Sequence, residues 1–148
     1  MCPHHENAGS VALVTKILVA AEASWVRDQV RTSLTGPGQL VIEVDRGQDV
    51  REAVLSNSPD LVILDLQIAN MGGIAVALDL RLEAGAGRIP ETPILLLLDR
   101  EADRFLATRT DADAMLVKPI DAGLLRRTIK KLLSPLETAA VSAGSDDA

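Results

Sequence analysis

The sequence is poor in aromatic residues and in cysteine, and each shortage excludes a class of protein. Trp25 and Phe105 are the only aromatic side chains, and tyrosine is absent. Stacking of single-stranded nucleic acid bases is therefore disfavoured, because it needs an aromatic platform. The single cysteine, Cys2, has no partner for an internal disulfide. We therefore expect a reducing, cytoplasmic compartment.

The chain also lacks an excess of positive charge and a long apolar run. Its 148 residues carry a formal net charge of -6, which repels polyanions, so we predict no nucleic acid partner. The apolar run at 11–21 is interrupted by Thr15 and Lys16 and is too short to span a bilayer. It does not resemble a secretory signal, and we predict no membrane partner.

The length fits one domain, which we place at 15–133 between disordered tails at 1–14 and 134–148. Cys2, His4 and His5 cluster in the first tail, and a transition metal would accept such ligands. No fourth ligand stands at a matching spacing, so an irregular terminus is the favoured interpretation.

Within the domain, short apolar runs alternate with amphipathic stretches. We predict strands at 16–21, 40–44, 61–64, 94–98 and 114–117, and helices at 24–34, 48–55, after Gly73, at 102–108 and at 121–133. Ser24 and Asp121 are the expected caps, and the third helix has Ile74, Leu78 and Leu82 on one stripe. This alternation predicts a parallel sheet with helices on both faces and chemistry at the carboxyl ends of its strands.

The residues at those strand ends form a small set: Ala21 and Glu22 after the first strand, Asp65 after the third, Leu98 and Asp99 at the fourth, and Lys118 and Pro119 after the fifth. No glycine-rich loop follows the first strand, so dinucleotide and P-loop sites are excluded. Both histidines lie in the first tail. No base is therefore evident for a hydrolase of the Ser/His/Asp or Cys/His type.

Three segments resemble the receiver domain of two-component response regulators: PDLVILDL at 59–66, MGG at 71–73 and LVKPI at 116–120. The resemblance covers 16–133 and implies a flavodoxin-like (βα)5 fold, a doubly wound parallel five-stranded sheet in three α/β/α layers. It also implies that Asp65 accepts a phosphoryl group from a phosphohistidine while Lys118 stabilises the transferred charge. The Lys118-Pro119 bond would be cis, as is usual in that family.

The resemblance further implies a Mg2+ site formed by Glu22, Asp65 and the backbone carbonyl of Gln67. Ala21 stands where the family has an acidic residue, so one carboxylate is lost. Because Mg2+ retains most of its waters and binds through few protein ligands, we expect weakened binding and no other cofactor.

The positions that couple phosphorylation to a conformational switch also depart from the family. Leu98 replaces the usual Thr or Ser, and Met115 replaces the usual aromatic residue, so we expect the usual switch to be mostly uncoupled. Asp99 replaces a small residue. It would either crowd the phosphoryl group and repel it, pair with Lys118, or point to solvent or cap the next helix.

We therefore predict an atypical single-domain receiver in phosphorelay signalling, with a histidine kinase or another signalling protein as partner and output through protein contacts. The alternatives are a pseudo-receiver that acts as a constitutive interaction module, and a small enzyme with an Asp65/Lys118 acid-base pair. Beyond phosphoryl transfer to its own Asp65 we predict no enzymatic activity, and we expect no effector domain after Leu133.

A homodimer through the fourth helix, fifth strand and fifth helix is a further hypothesis. Basic residues of the last helix would meet acidic residues that precede it in the sequence. The basic set is Arg126, Arg127, Lys130 and Lys131, and the acidic set is Asp99, Glu101, Asp103, Asp111 and Asp113. The simpler interpretation of the basic set is a solvated helix face near a helix C-terminus.

Overall fold

The computed structural model describes residues 14–34 and 36–134. The strands are β1 (Thr15–Ala20), β2 (Gln39–Val44), β3 (Leu61–Asp65), β4 (Ile94–Leu98) and β5 (Ala114–Val117). The helices are α1 (Ser24–Ser33), α2 (Val50–Asn57), α3 (Gly73–Gly85), α4 (Arg104–Ala107) and α5 (Ala122–Leu133), with a short 3-10 turn before α2 and one on each side of α4. Apart from Val14 and Ser134, the two predicted tails lie outside the described residues, and so does the Cys2, His4 and His5 cluster.

All strand pairs are parallel, and the strand order is β2-β1-β3-β4-β5. One core packs α2, α3 and α4 against one face of the sheet, and a second core packs α1 and α5 against the other face. The predicted doubly wound sheet in three layers is therefore confirmed. Its strand order brings the carboxyl ends of β3, β4 and β5 side by side.

The two central strands β3 and β4 are buried at every position. Successive residues point to opposite faces, so Leu96 belongs to the first core and Leu97 to the second. Both strands need apolar side chains throughout, because helices cover both faces. Asp65, the last residue of β3, is the one charged residue in this run.

Helix α3 buries a different face from the predicted one. Leu78 and Leu82 are 47% and 68% exposed, whereas Val76, Ala77 and Leu80 are buried. The helix carries apolar residues on all sides, so spacing alone does not select the packed face. In the observed orientation, the carboxylate of Asp79 pairs with the guanidinium of Arg51 on α2.

The two predicted helix caps have different outcomes. Asp121 caps α5, because its carboxylate accepts hydrogen bonds from the N–H groups of Gly123 (2.8 Å) and Leu124 (3.3 Å). Ser24 is instead the first residue of α1, with Ala23 in the cap position and no side-chain cap. None of the helices in the described part of the chain is long and apolar enough to cross a membrane.

The N-terminus of α3 packs directly beneath the end of β3. The N–H of Gly73 donates to the carbonyl of Leu66 at 3.1 Å. A Cβ at Gly73 would collide with the backbone carbonyl of Asp65. The absence of a side chain at Gly73 therefore lets α3 begin against the loop that follows Asp65.

We expect Gly73→Ala to lower the free energy of unfolding by about 1–3 kcal/mol, the usual cost of forcing an atom into a packed region. Gly85→Ala, at the other end of the same helix, is the matched control, because a Cβ there meets nothing within 4 Å. The control should be neutral or stabilising by up to about 1 kcal/mol. Urea unfolding measures both variants, and equal stabilities would contradict the close approach at Gly73.

Candidate functional site

The carboxylate of Asp65 lies at the carboxyl end of β3, and its side chain is 1% exposed. Its Oδ1 is 2.5 Å from Nζ of Lys118 and accepts a hydrogen bond of 3.3 Å from the N–H of Gln67. Its Oδ2 is buried and has no hydrogen-bond partner within the described protein. One oxygen of this carboxylate is therefore fixed by a cation, and the other is a free acceptor.

Lys118 reaches this carboxylate from the end of β5. Its backbone N–H donates to the carbonyl of Leu98 at 2.8 Å, and its peptide bond to the exposed Pro119 is cis, as predicted. Its Nζ also lies 2.9 Å from Oδ1 of Asp99 and 5.9 Å from the ring centre of Trp25. The ammonium group is thus surrounded by two carboxylates and one indole.

Asp99 joins the site from the end of β4. Its Oδ1 accepts from Lys118, and its Oδ2 accepts a hydrogen bond of 3.0 Å from Nε2 of Gln67. The structure contains one of the arrangements predicted for Asp99, the pairing with Lys118. The next helical turn is capped by Asp103 instead, whose carboxylate accepts from the N–H of Arg100 at 2.9 Å.

The electrostatics of the three charged groups follow from this arrangement. Burial raises the pKa of the Asp65 carboxyl, and the contact with Lys118 opposes that rise only in part. Burial lowers the pKa of Lys118, but the contacts with the two carboxylates raise it by more than burial lowers it. The pKa of Lys118 therefore lies above its ordinary value. The hydrogen bond from Lys118 holds the pKa of Asp99 below its ordinary value. Two unequal carboxylates therefore share one firmly protonated amine.

Ala21 and Glu22 occupy the loop after β1, where Ala21 is buried and Glu22 is exposed. The guanidinium of Arg27 donates to the carbonyl oxygens of Ala21 and Glu22 at 2.6 and 2.9 Å. The N–H of Glu22 donates to the carbonyl of Gln67 at 3.0 Å. Arg27 was missed by sequence reasoning, since a charged residue in a helix gives no signal that its side chain turns back to bind a loop.

The fit of this site to Mg2+ is limited. In residues 14–34 and 36–134, no group of three or more His, Cys, Asp or Glu side chains is placed to hold a metal ion. Asp65 is nevertheless suitable as a ligand, because its Oδ2 is buried without a partner. The Gln67 carbonyl already accepts one hydrogen bond, and Glu22 is exposed. Of the three predicted ligands, Asp65 is therefore the one whose free oxygen fits an ion that keeps most of its waters.

The two altered switch positions contribute no polar group to the site. Leu98 is fully buried, and its side chain belongs to the core beneath α2, α3 and α4. Met115 is partly buried and packs against that same core. The side chains of Leu98 and Met115 therefore pack into the core at the positions where the resemblance implies a hydroxyl and an aromatic ring.

The basic and acidic sets of the dimer hypothesis differ in how far they are already paired. Arg126, Arg127, Lys130 and Lys131 are exposed on α5, and none forms an ion pair with a described residue. Four of the five acidic residues already have partners, namely Asp99 with Lys118, Glu101 with Arg104, Asp103 with Arg100 and Asp113 with Arg81. Asp111 is the remaining acidic residue.

Comparison with known proteins identifies the family. The profile of the response regulator receiver domain matches residues 17–130. The chain therefore belongs to the family of response regulator receiver domains, which are signalling domains of two-component systems.

Similar curated sequences are transcriptional regulators. The KDP operon transcriptional regulatory protein KdpE of Escherichia coli is 30% identical over 122 residues, which cover 81% of this chain and 52% of KdpE. GltR of Pseudomonas aeruginosa is 30% identical over 130 residues, with 86% of this chain and 52% of GltR covered. The chain thus spans about half the length of these relatives.

Similar solved structures share the fold. A chemotaxis response regulator of Vibrio cholerae has a TM-score of 0.71 at 22% identity, covering 81% of this chain and 99% of that one. The receiver domain of a sensor histidine kinase from Pseudomonas aeruginosa has a TM-score of 0.71 at 18% identity, with 82% and 98% covered. That second structure has a magnesium ion coordinated in its active-site cleft.

The opposite pKa shifts of the two carboxyl groups predict opposite effects on stability. Asp65→Asn should raise the free energy of unfolding at neutral pH by about 1–3 kcal/mol, because it removes a buried charge with an unpaired oxygen and leaves Lys118 paired with Asp99. Asp99→Asn should lower that free energy slightly, since this pair is partly exposed and screened.

The pH dependence of these two effects should also differ. The folded pKa of Asp65 is raised, so the gain from Asp65→Asn should be absent below the unfolded pKa and complete above the folded pKa. The folded pKa of Asp99 is lowered, so its stabilising contribution should disappear as the pH falls through that folded pKa. Urea unfolding in EDTA at several pH values measures both trends, and the same sign for both variants would contradict this account.

Proposed function

We propose that this chain is an atypical receiver that accepts a phosphoryl group at Asp65. The observation that carries the proposal is a buried carboxylate with one oxygen paired to Lys118 and the other oxygen free. A nucleophile of this kind needs one oxygen lone pair that no hydrogen bond occupies and a nearby cation to stabilise developing negative charge. No other carboxylate described at this end of the sheet combines the two properties.

The proposed reaction is an in-line displacement at phosphorus. Oδ2 of Asp65 forms the new O–P bond while the P–N bond of a phosphohistidine breaks, and the leaving imidazole nitrogen keeps the electron pair. Lys118 stabilises the negative charge that spreads over the phosphoryl oxygens. When Mg2+ is bound, it supplies further charge neutralisation at those oxygens. Asp65, the Gln67 carbonyl and Glu22 are the residues that would hold the ion.

The proposed partners are a histidine kinase, which supplies the phosphoryl group, or another signalling protein, with output through protein contacts. Family membership supports this class of partner. We propose no nucleic acid partner, because the net charge of -6 repels polyanions and the chain has only two aromatic side chains on which bases could stack. No membrane contact is part of the proposal.

A second candidate is a pseudo-receiver that holds one constant surface without being phosphorylated. The contact between Lys118 and Asp99 supports it, because a carboxylate of the chain itself already neutralises the cation that a phosphoryl group would use. The fully buried Leu98 supports it as well, since it offers no hydrogen bond to a phosphoryl group.

Incubation with a small acyl phosphate and Mg2+, followed by intact-mass measurement, separates the two candidates. We expect one phosphoryl adduct on the parent chain and none on Asp65→Asn. Asp45→Asn removes an exposed carboxylate at another strand end and should keep the adduct, so it is the matched control. Absence of an adduct with both the acyl phosphate and a phosphorylated kinase would sink the receiver proposal and favour the pseudo-receiver.

A homodimer through α4, β5 and α5 is a separate proposal about partners. The unpaired cations on α5 and the exposed Phe105 and Leu106 on α4 support it. The pairing of four of its five acidic residues within one chain weighs against reciprocal salt bridges.

The salt-bridged dimer predicts a mass of two protomers in sedimentation at tens of micromolar protein and low salt. That mass should fall towards one protomer as salt screens the surface charges, and in the variant Lys130→Glu. The exposed Arg46→Glu, on the opposite edge of the sheet, provides the control for charge reversal. A single-protomer mass at low salt would contradict the dimer.

A further inference from the structure

The carboxylate of Asp99 bridges two residues that belong to the proposed phosphorylation site. One oxygen is 2.9 Å from Nζ of Lys118, and the other accepts the 3.0 Å hydrogen bond from Nε2 of Gln67. Gln67 lies two residues beyond Asp65, so Asp99 ties the loop after β4 to the loop after β3. Its side chain is 33% exposed, which leaves its outer face accessible to solvent.

We propose that Asp99 is a tethered competitor for Lys118, held in place by Gln67, which must release Lys118 before a phosphoryl group on Asp65 can bind that lysine. This inference rests on the proposed function of Asp65. It assigns to Asp99 a regulatory role in the same site, and to Gln67 the role of a positioning residue for Asp99.

The competition follows from the limited number of donors on the amine. A lysine ammonium has three N–H donors, and both carboxylates of the site lie within 3 Å of it. The ring of Trp25 lies close to the same amine. A phosphoryl group on Asp65 adds further anionic oxygens at this point. Because those oxygens repel the carboxylate of Asp99 and compete with it for the charge of one ammonium group, binding of one anion disfavours binding of the other.

Release of Asp99 would also give the site a means of signalling that does not use Leu98. Asp99 is the first residue after β4, and the exposed segment that begins there leads to α4. Once Lys118 turns to the phosphoryl group, the loop after β4 loses its ionic contact with the residue that follows β5. Phosphorylation would then change the surface by breaking the ion pair between Lys118 and Asp99. The hydroxyl of the Thr or Ser that Leu98 replaces would not be needed.

The experiment uses the full chain, three single variants, one control and the double variant Asp65→Asn/Asp99→Asn. Asp99→Ala removes both contacts, Asp99→Asn removes the charge at nearly constant shape, and Gln67→Ala removes the support of Asp99 while its backbone carbonyl stays. Glu101→Gln removes a charge two residues away, on an exposed side chain that contacts Arg104 and not Lys118. Urea unfolding of each variant establishes that it is folded.

Two readouts are measured for each protein. The first is the affinity for beryllofluoride with Mg2+, followed by the fluorescence of Trp25, the only tryptophan in the chain. The second is the initial rate at which the acyl phosphate adds a phosphoryl group, followed by intact mass. Both should rise about tenfold or more in Asp99→Ala and Asp99→Asn, the ratio expected when one charge-assisted hydrogen bond no longer competes. Gln67→Ala should show a smaller rise, and Glu101→Gln should stay within about twofold of the parent.

The possible results separate this inference from the proposed function. If the parent forms an adduct at Asp65 and the Asp99 variants are no faster and bind no more tightly, Asp99 is not a competitor, although Asp65 remains the acceptor. An equal rise in Glu101→Gln would show that the loss of any negative charge in this loop has the same effect, whether or not the residue contacts Lys118. That result would also overturn the inference. If no variant forms an adduct or binds beryllofluoride, both proposals fail. An adduct that persists in the double variant Asp65→Asn/Asp99→Asn would reject Asp65 as the acceptor.

Discussion

The site depends on one ammonium group that is shared by two carboxylates. Asp65 ends β3, and Asp99 and Lys118 directly follow β4 and β5, so the parallel order β3-β4-β5 brings the three residues to one edge. If any of these strands ran in the opposite direction, its charged residue would lie at the other end of the sheet. The charge pattern is thus a consequence of the topology, and the topology is stabilised by the burial of aliphatic strands.

The same burial makes the Asp65 carboxylate unfavourable for the stability of the fold, as is common for residues with a chemical role. Its carboxylate is at the end of a fully buried strand and lacks a partner for one oxygen, which is unfavourable for stability alone. Polar groups of this kind are common where a protein binds or transforms a ligand. Lys118 offsets part of the cost, and Asp99 in turn occupies Lys118. The three residues therefore form one unit, and a change at one of them alters the other two.

Much of this arrangement could be predicted from the sequence. Continuous apolar runs identified β3 and β4, and their length and alternation with helices predicted a parallel sheet with Asp65 and Lys118 at one edge. The packed face of α3 could not be predicted, because Leu78 and Leu82 are as apolar as the residues that are buried. The contacts of Arg27 with loop carbonyls and of Gln67 with Asp99 were also missed. They join side chains from different loops, and their rotamers depend on tertiary packing that no local spacing encodes.

The complete burial of β4 determines where motion can occur in this molecule. A strand clamped between two aliphatic layers cannot slide or tilt without opening voids on both sides, and such voids are costly in a close-packed interior. Leu98 is the last residue held in this way, and the next residue, Asp99, is held by the polar contacts of its side chain with Lys118 and Gln67. We therefore expect a change in shape that begins at Asp65 to pass between the loops at the carboxyl ends of the strands, while the buried strands stay in place.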